Sequence, residues 1–173
     1  ADMGMRLGPE KYVDTIRAIR KAVTIPVIAS INCIASANWV TFARKIEAAG
    51  ADALELNVYD IPQSPDESSN AVEARHLALV QAVRAEVKLP ITIKLSPYYT
   101  NTLAFARQLD RTGINGMVLF NRFLQPDIDI DNESLVYEVN LSRAQDLLLP
   151  LRWVAILRDP VRCDIAISGG VHT

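Results

Sequence analysis

Cysteine is scarce in this sequence, and its two occurrences exclude two classes of protein. Cys33 and Cys163 lie far apart in a chain of 173 residues, and both have apolar neighbours. This spacing provides neither a disulfide framework nor the ligand pattern of a metal site. We therefore expect no metal, and we expect both cysteines to be buried free thiols, as free cysteines usually are.

No charge of one sign predominates. Eighteen Lys and Arg residues oppose twenty Asp and Glu residues, which leaves a formal net charge of -2 at pH 7. Because nucleic-acid binders carry a clustered basic surface, the sequence predicts no nucleic-acid partner. The expected partner is a small-molecule substrate, and the sequence leaves a homo-oligomer open.

Long apolar runs are also missing. No stretch approaches the ~18 apolar residues that a membrane span needs, and residues 1–20 lack the order of segments typical of a signal peptide. The sequence therefore predicts a soluble cytoplasmic protein without a membrane partner.

Short β-branched runs alternate with longer amphipathic stretches, which is typical of βαβ units around a parallel sheet. Half of the residues are hydrophobic, enough for the core of a single domain spanning residues 1–173. The predicted strands cover residues 26–32, 51–58, 90–96, 114–121 and 163–168. The predicted helices cover residues 10–23, 37–49, 72–87, 102–112 and 144–157. The polar, acidic segment 122–142 is predicted to be a long loop.

Each predicted strand has apolar residues in its middle and polar residues at its carboxyl end, and this pattern favours one architecture. These residues are Asn32, Asn57 after Glu55, Lys94 with Ser96, Asn121, and Ser168. Polar groups converge in this way at the carboxyl-terminal mouth of a TIM barrel, whereas a doubly wound sheet would carry a GxGxxG turn, which is absent. A complete (β/α)8 barrel needs about 250 residues. We therefore predict an α/β fold that forms an incomplete TIM barrel, covering roughly its third to seventh strands.

Lys94 is the most informative single residue, because an unpaired ammonium is costly to bury at the end of an apolar strand. It either pairs with a carboxylate such as Glu55 or faces an anionic or electron-accepting ligand. Asn57 and Asn121 supply both donors and acceptors for a planar heteroaromatic ligand.

Two further motifs lie outside this group. The paired glycines Gly169 and Gly170 follow a strand, where backbone N–H groups can approach a phosphate. His76 lies in a helical stretch without a nearby Ser or Cys for a catalytic triad, so we expect a surface or partly buried helix residue.

Four strings in this order resemble a known family. Glu55-Leu56-Asn57, Lys94-Leu95-Ser96-Pro97, Phe120-Asn121 and Gly169-Gly170 are similar to the strand ends of the flavin-dependent dihydroorotate dehydrogenases. The strings Leu119-Phe120-Asn121-Arg122-Phe123 and Leu149-Pro150-Leu151-Arg152-Trp153 resemble the dihydroorotate dehydrogenase-like proteins more closely.

This resemblance implies an FMN-binding oxidoreductase of pyrimidine biosynthesis that acts on CH–CH groups, with hydride transfer between FMN and a small cyclic or unsaturated substrate. Lys94 would contact the flavin where negative charge develops on reduction. Asn57 and Asn121 would bind the substrate or the flavin edge, and Gly169 and Gly170 would belong to the phosphate loop. Ser30 and Asn32 would lie where the third barrel strand approaches the flavin.

One departure from the family concerns the base. Where the family carries a Ser-Cys-Pro-Asn type sequence after ELN, this chain reads Val58-Tyr59-Asp60-Ile61-Pro62. Asp60 takes the position of the catalytic base and Tyr59 is a second candidate, so the resemblance leaves oxidation of dihydroorotate in doubt.

Two alternatives stay open at this point. One is a flavin-binding homologue without dehydrogenase activity that acts as a partner subunit. The other is an aldolase-type barrel in which Lys94 forms a Schiff base.

Overall fold

The computed structural model describes residues 8–32, 36–58, 60–122, 125–137 and 141–172, and its main feature is a parallel sheet interleaved with helices. The sheet strands are β1 (Ile28–Ile31), β2 (Ala53–Asn57), β3 (Ile91–Leu95), β4 (Gly116–Leu119) and β7 (Asp164–Ile167). The helices are α1 (Pro9–Ala22), α2 (Ser36–Ala48), α3 (Ser69–Glu86), α4 (Thr102–Asp110) and α5 (Leu148–Leu157), the last preceded by a 3-10 turn over Ala144–Leu147. All five predicted strands and all five predicted helices are thus confirmed, with shorter strands than predicted.

The strands pair in the order β1-β2-β3-β4-β7, and every pair is parallel. Parallel neighbours joined through helices are the repeating unit of α/β folds. The observed architecture is therefore the predicted α/β arrangement of consecutive barrel-type βα units.

One face of the sheet forms the core. Alternate strand residues such as Leu54, Leu56, Ile93 and Leu95 are fully buried in one cluster with apolar residues of the helices. The other face, which carries Glu55, Asn57, Thr92 and Lys94, is only half-buried. Because side chains alternate along a strand, the pattern that buries the apolar residues also aligns the polar residues on the opposite face.

The segment predicted as a loop over residues 122–142 contains a small hairpin. Strands β5 (Asp127–Asp129) and β6 (Ser134–Val136) pair antiparallel. The Asp129 carboxylate organises the turn, since Oδ1 accepts the backbone N–H of Asp131 at 3.0 Å and that of Asn132 at 3.1 Å. Strands of three residues are too short for a periodic signal, which is why the sequence pattern did not predict them.

The cysteine prediction is only partly correct. Cys163 is a free thiol, but it is half-buried and not fully buried. Burial raises the pKa of this thiol to about 12, so it behaves as an unreactive packing residue. Cys33 lies outside the described residues.

Two features are absent from the described residues. Across these ranges no helix is long and apolar enough to cross a membrane. The same part of the chain holds no group of three or more His, Cys, Asp or Glu side chains placed to bind a metal ion.

Candidate functional site

Three sequence-predicted residues meet at the carboxyl ends of neighbouring strands. Asn57 on β2 lies opposite Lys94 on β3 in the sheet register. Asn121, just after β4, donates its Nδ2–H to Oδ1 of Asn57 at 2.6 Å. The strand register thus brings two amides and one ammonium to one place, as expected for a barrel mouth.

The ammonium group of Lys94 is available to a ligand. Its side chain is half-buried, and within the described ranges it forms no hydrogen bond or ion pair. The alternative pairing with Glu55 is not observed, because the Glu55 carboxylate instead accepts the Ser30 hydroxyl at 2.7 Å. A half-buried cation without a protein partner in this part of the chain can receive an anion or stabilise developing negative charge.

The two amides keep complementary hydrogen-bonding groups. Since Asn57 accepts through Oδ1, its NH2 group remains a donor, and the Oδ1 atom of Asn121 remains an acceptor. Together with Lys94, this arrangement provides donors for carbonyl oxygens and an acceptor for a ring N–H group.

A cavity of about 390 Å³ opens at the carboxyl ends of β3, β4 and β7, and of the three residues Asn121 lines it whereas Asn57 and Lys94 do not. Its lining combines apolar and hydrogen-bonding side chains, as is usual for small-molecule sites. The residues that line it include Tyr98, Phe120, Asn121, Ser142, Gln145 and Gly169.

The glycine pair after β7 has left-handed backbone conformations, with φ of 88° at Gly169 and 73° at Gly170. A Cβ atom at Gly170 would collide with the backbone of Leu147 and would lie 2.9 Å from the carbonyl carbon of Asp146. Close packing against the 3-10 turn therefore explains the second glycine. At Gly169, within the described part of the chain, such an atom would have one neighbour, the Ser142 side chain at 3.8 Å, so the phosphate role stays a prediction for this turn.

Ser30 and Asn32 are placed less centrally. Ser30 pairs in register with Glu55, two residues before Asn57. It therefore lies on the same face, farther from the carboxyl end of the sheet. Its hydroxyl is already bonded to Glu55. Asn32 follows β1 and is exposed. Their contact with a cofactor stays a prediction.

Asp60, the predicted base, is held by two side chains of α3. Its Oδ2 atom accepts from Arg75 and lies 3.2 Å from Nε2 of His76. Burial raises the pKa of Asp60, but the hydrogen bond and charge of Arg75 and the hydrogen bond from His76 outweigh this effect, and the net pKa is lowered. A carboxylate stabilised in this way is a weaker proton acceptor. Tyr59, the second candidate base, lies outside the described residues.

His76 is the residue that sequence reasoning underestimated. It is only 4% exposed, and its Nδ1 atom lies 3.2 Å from the hydroxyl of Tyr99 in the loop after β3. The sequence did contain a signal for this burial. His76 falls at the helical spacing of the other buried residues of α3, which are Val72, Val80 and Val83. A polar residue within such an apolar stripe indicates a buried polar contact.

The chain is similar in sequence to one family of known proteins. The sequence profile of the dihydroorotate dehydrogenase family matches residues 2–143. Dihydroorotate dehydrogenase A (fumarate) of Lacticaseibacillus paracasei is 30% identical over 86% of this chain and 53% of its own length. The corresponding protein of Lactobacillus helveticus is 27% identical over 86% of this chain and 50% of its own length.

Among solved structures, a dihydrodipicolinate synthase from Agrobacterium tumefaciens superimposes with a TM-score of 0.61 at 22% identity, over 95% of this chain and 47% of that one. At that identity the likeness shows the TIM-barrel-like fold alone. The chain spans about half the length of the curated relatives it matches. With the profile match covering most of its residues, the chain belongs to the dihydroorotate dehydrogenase family.

Proposed function

We propose that the chain belongs to an FMN-dependent oxidoreductase that transfers hydride between FMN and a small cyclic or unsaturated substrate. The observation that carries this proposal is the half-buried Lys94 ammonium, which has no protein partner in the described part of the chain and lies opposite Asn57 in the sheet. Family membership supports it, since the curated relatives are named dihydroorotate dehydrogenases.

The residues at the strand ends fit a flavin. Lys94 would place a fixed positive charge beside the ring atoms that become negative on reduction, which stabilises the reduced form. Asn57 and Asn121 would orient the planar edges of the cofactor or the substrate through their free amide groups. Gly169 would allow the chain to approach the phosphate closely. FMN, when bound, would supply the hydride acceptor that none of these side chains can provide.

A second candidate function is a flavin-binding homologue that has lost the dehydrogenase reaction and acts as a partner subunit. The observation that favours it is the replacement of the family's Ser-Cys-Pro-Asn type sequence by the segment with Asp60 and Pro62. Asp60 is also engaged by Arg75 and His76. Under this alternative, the Lys94 and Asn57 contacts would bind flavin without turnover.

The visible spectrum of the full-length protein tests the proposal. We expect a yellow preparation that releases FMN on denaturation, and a colourless protein that cannot be reconstituted with FMN would refute it. Bound flavin would also exclude the alternative of an aldolase-type barrel in which Lys94 forms a Schiff base.

A matched pair of variants tests the role of the cation. Lys94→Met removes a charge-assisted contact worth roughly 1.5–3 kcal/mol, so the Kd for FMN should rise about tenfold to a hundredfold. Lys88→Met removes an exposed lysine just before β3 and should leave the Kd unchanged. Equal affinity of both variants for FMN would place Lys94 outside the cofactor site.

A further inference from the structure

A partly buried polar network joins the two loops that follow β2 and β3. Its centre is His76 on α3, whose ring lies between Asp60 of the first loop and Tyr99 of the second. The Tyr99 ring also packs on Phe105, with ring centroids 4.4 Å apart. These loops directly follow the strands that carry Asn57 and Lys94.

The chemistry of the three groups determines the direction of the hydrogen bonds. An ionised carboxylate only accepts hydrogen bonds, so Nε2 of His76 must carry the proton that is donated to Asp60. In the neutral ring Nδ1 is then an acceptor, and it receives the hydroxyl proton of Tyr99. Burial lowers the pKa of His76, despite the opposing contact with Asp60, and this favours the neutral ring that the chain of bonds requires.

Every member of the network has a partner. No buried side-chain nitrogen or oxygen in the described ranges lacks a hydrogen bond. Buried polar networks that are fully satisfied hold their members in one arrangement. The neighbouring Arg75 side chain also binds Asp60 and bridges it to Glu67, closer to the protein surface. Arg75 therefore shares the hold on Asp60, whereas His76 extends that hold to Tyr99 in the second loop.

The geometry points to His76 as a positioning residue that ties the loop after β2, through Asp60, to the loop after β3, through Tyr99. We propose that Asp60 anchors this network and does not act as the catalytic base of the site. The two loops at the carboxyl ends of β2 and β3 then open and close as one unit. The statement about the base rests on the proposed function, whereas the coupling of the loops does not.

A set of variants of the full-length protein separates the two links. In His76→Gln the amide nitrogen can still donate to Asp60, but the acceptor for Tyr99 is lost. In His76→Asn the amide oxygen can still accept from Tyr99, but the donor to Asp60 is lost. His76→Leu removes both links at similar volume. Val80→Ala is the control, because Val80 is buried on the same face of α3 and has no polar contact to make.

Amide hydrogen exchange, resolved along the sequence, is the measurement. His76→Leu should accelerate exchange by about tenfold or more in both loops, residues 60–68 and 96–101, because a lost hydrogen bond to a charged group raises local opening by that order. His76→Gln should affect residues 96–101 and His76→Asn residues 60–68. Acceleration confined to α3, or the same profile in Val80→Ala and His76→Leu, would overturn the proposal.

A spectroscopic measurement on the unmutated protein tests the network even if a variant fails to fold. Long-range proton–nitrogen correlation spectra of the unmutated protein should show His76 as the Nε2–H tautomer at neutral pH, assigned by its disappearance in His76→Gln. An Nδ1–H tautomer would reverse the hydrogen bonds and refute the network. Neither measurement requires flavin, so a protein that does not bind FMN would refute the proposed function and leave this result standing.

Discussion

At the residue scale, His76 links pH to stability. Burial lowers the pKa of His76 in the folded chain. At pH values below about 6.5, the ordinary pKa of histidine, the unfolded chain therefore binds the proton more readily than the folded chain does. The free energy of unfolding should therefore fall as the pH drops below that value, by at most about 1.4 kcal/mol per pH unit. Thermal unfolding of the full-length protein between pH 7 and pH 5 measures this loss.

A variant without the imidazole ring is the control for this pH dependence. His76→Gln has no ring to protonate and should lose less stability than the unmutated protein over the same range. The lowered pKa of Asp60 contributes stability that is lost only in stronger acid, as the pH falls below about 3.8 and through the folded value. Identical pH profiles for the two proteins would contradict a buried neutral His76.

Gly170 is constrained by packing and by backbone conformation together. An alanine there would collide with the backbone of Leu147 and would be forced to keep a φ of 73°. Gly170→Ala should lower the free energy of unfolding by roughly 1–3 kcal/mol, and the change should be visible as a lower Tm. Gly8→Ala is the control, because no atom of the described residues lies within 4 Å of its ideal Cβ position. Equal Tm values for the two variants would mean that the turn after β7 packs differently.

At the element scale, α3 presents Arg75 and His76 to the loops, and Ser68 caps its first turn. The Ser68 hydroxyl oxygen accepts the backbone N–H of Ala71 at 3.2 Å. Ser68→Ala should cost about 1 kcal/mol of unfolding free energy and should increase amide exchange at the start of α3. Ser68→Asp keeps a capping oxygen at the positive end of the helix dipole and should restore the unmutated values. A loss of the same size in both variants would show that capping is not the cause.

Helices and strands were predictable where apolar residues recur at a regular spacing over many residues. The five strands and five helices follow from apolar spacing, and so does the alignment of Asn57 and Lys94 on one face, because alternation along a strand is strict. The hairpin near Asp129 was not predictable, since its strands have three residues each. The link from His76 to Asp60 and Tyr99 was not predictable either. It depends on how α3 crosses back between β2 and β3, which no local pattern encodes.

At the scale of the whole molecule, packing and chemistry lie on opposite faces of one sheet. The helices bury one face with residues such as Leu56 and Ile93. The other face carries Glu55 with Asn57 on β2 and Thr92 with Lys94 on β3, and Asn121 joins their carboxyl end through its bond to Asn57. Parallel βα units separate stability from function in this way, because strand interiors pack while strand ends hold ligands. Changes at the strand ends should therefore alter ligand binding more than stability.

The last prediction concerns the reaction of the whole protein with dihydroorotate. Oxidation by the flavin requires a base aligned with a C–H bond, and such a base typically contributes 10²–10⁴-fold to the rate. The resemblance to the family predicts that Asp60 takes the position of that base, and the Asp60 carboxylate is held by Arg75 and His76. The lowered pKa of Asp60 makes it a poor proton acceptor, so dihydroorotate should be oxidised slowly or not at all.

The measurement is anaerobic mixing of the flavin-loaded full-length protein with dihydroorotate, followed through the flavin absorbance. Dithionite should bleach the same sample fully, which shows that the flavin can be reduced. Asp60→Cys alone should not restore the rate, because Pro62 also replaces the asparagine of the family's sequence, and the thiol would lose the bond from His76 that holds the loop. Rapid stoichiometric bleaching of the unmutated protein by dihydroorotate would contradict this expectation. It would mean that a base other than an anchored Asp60 serves the site, or that the loop rearranges when substrate binds.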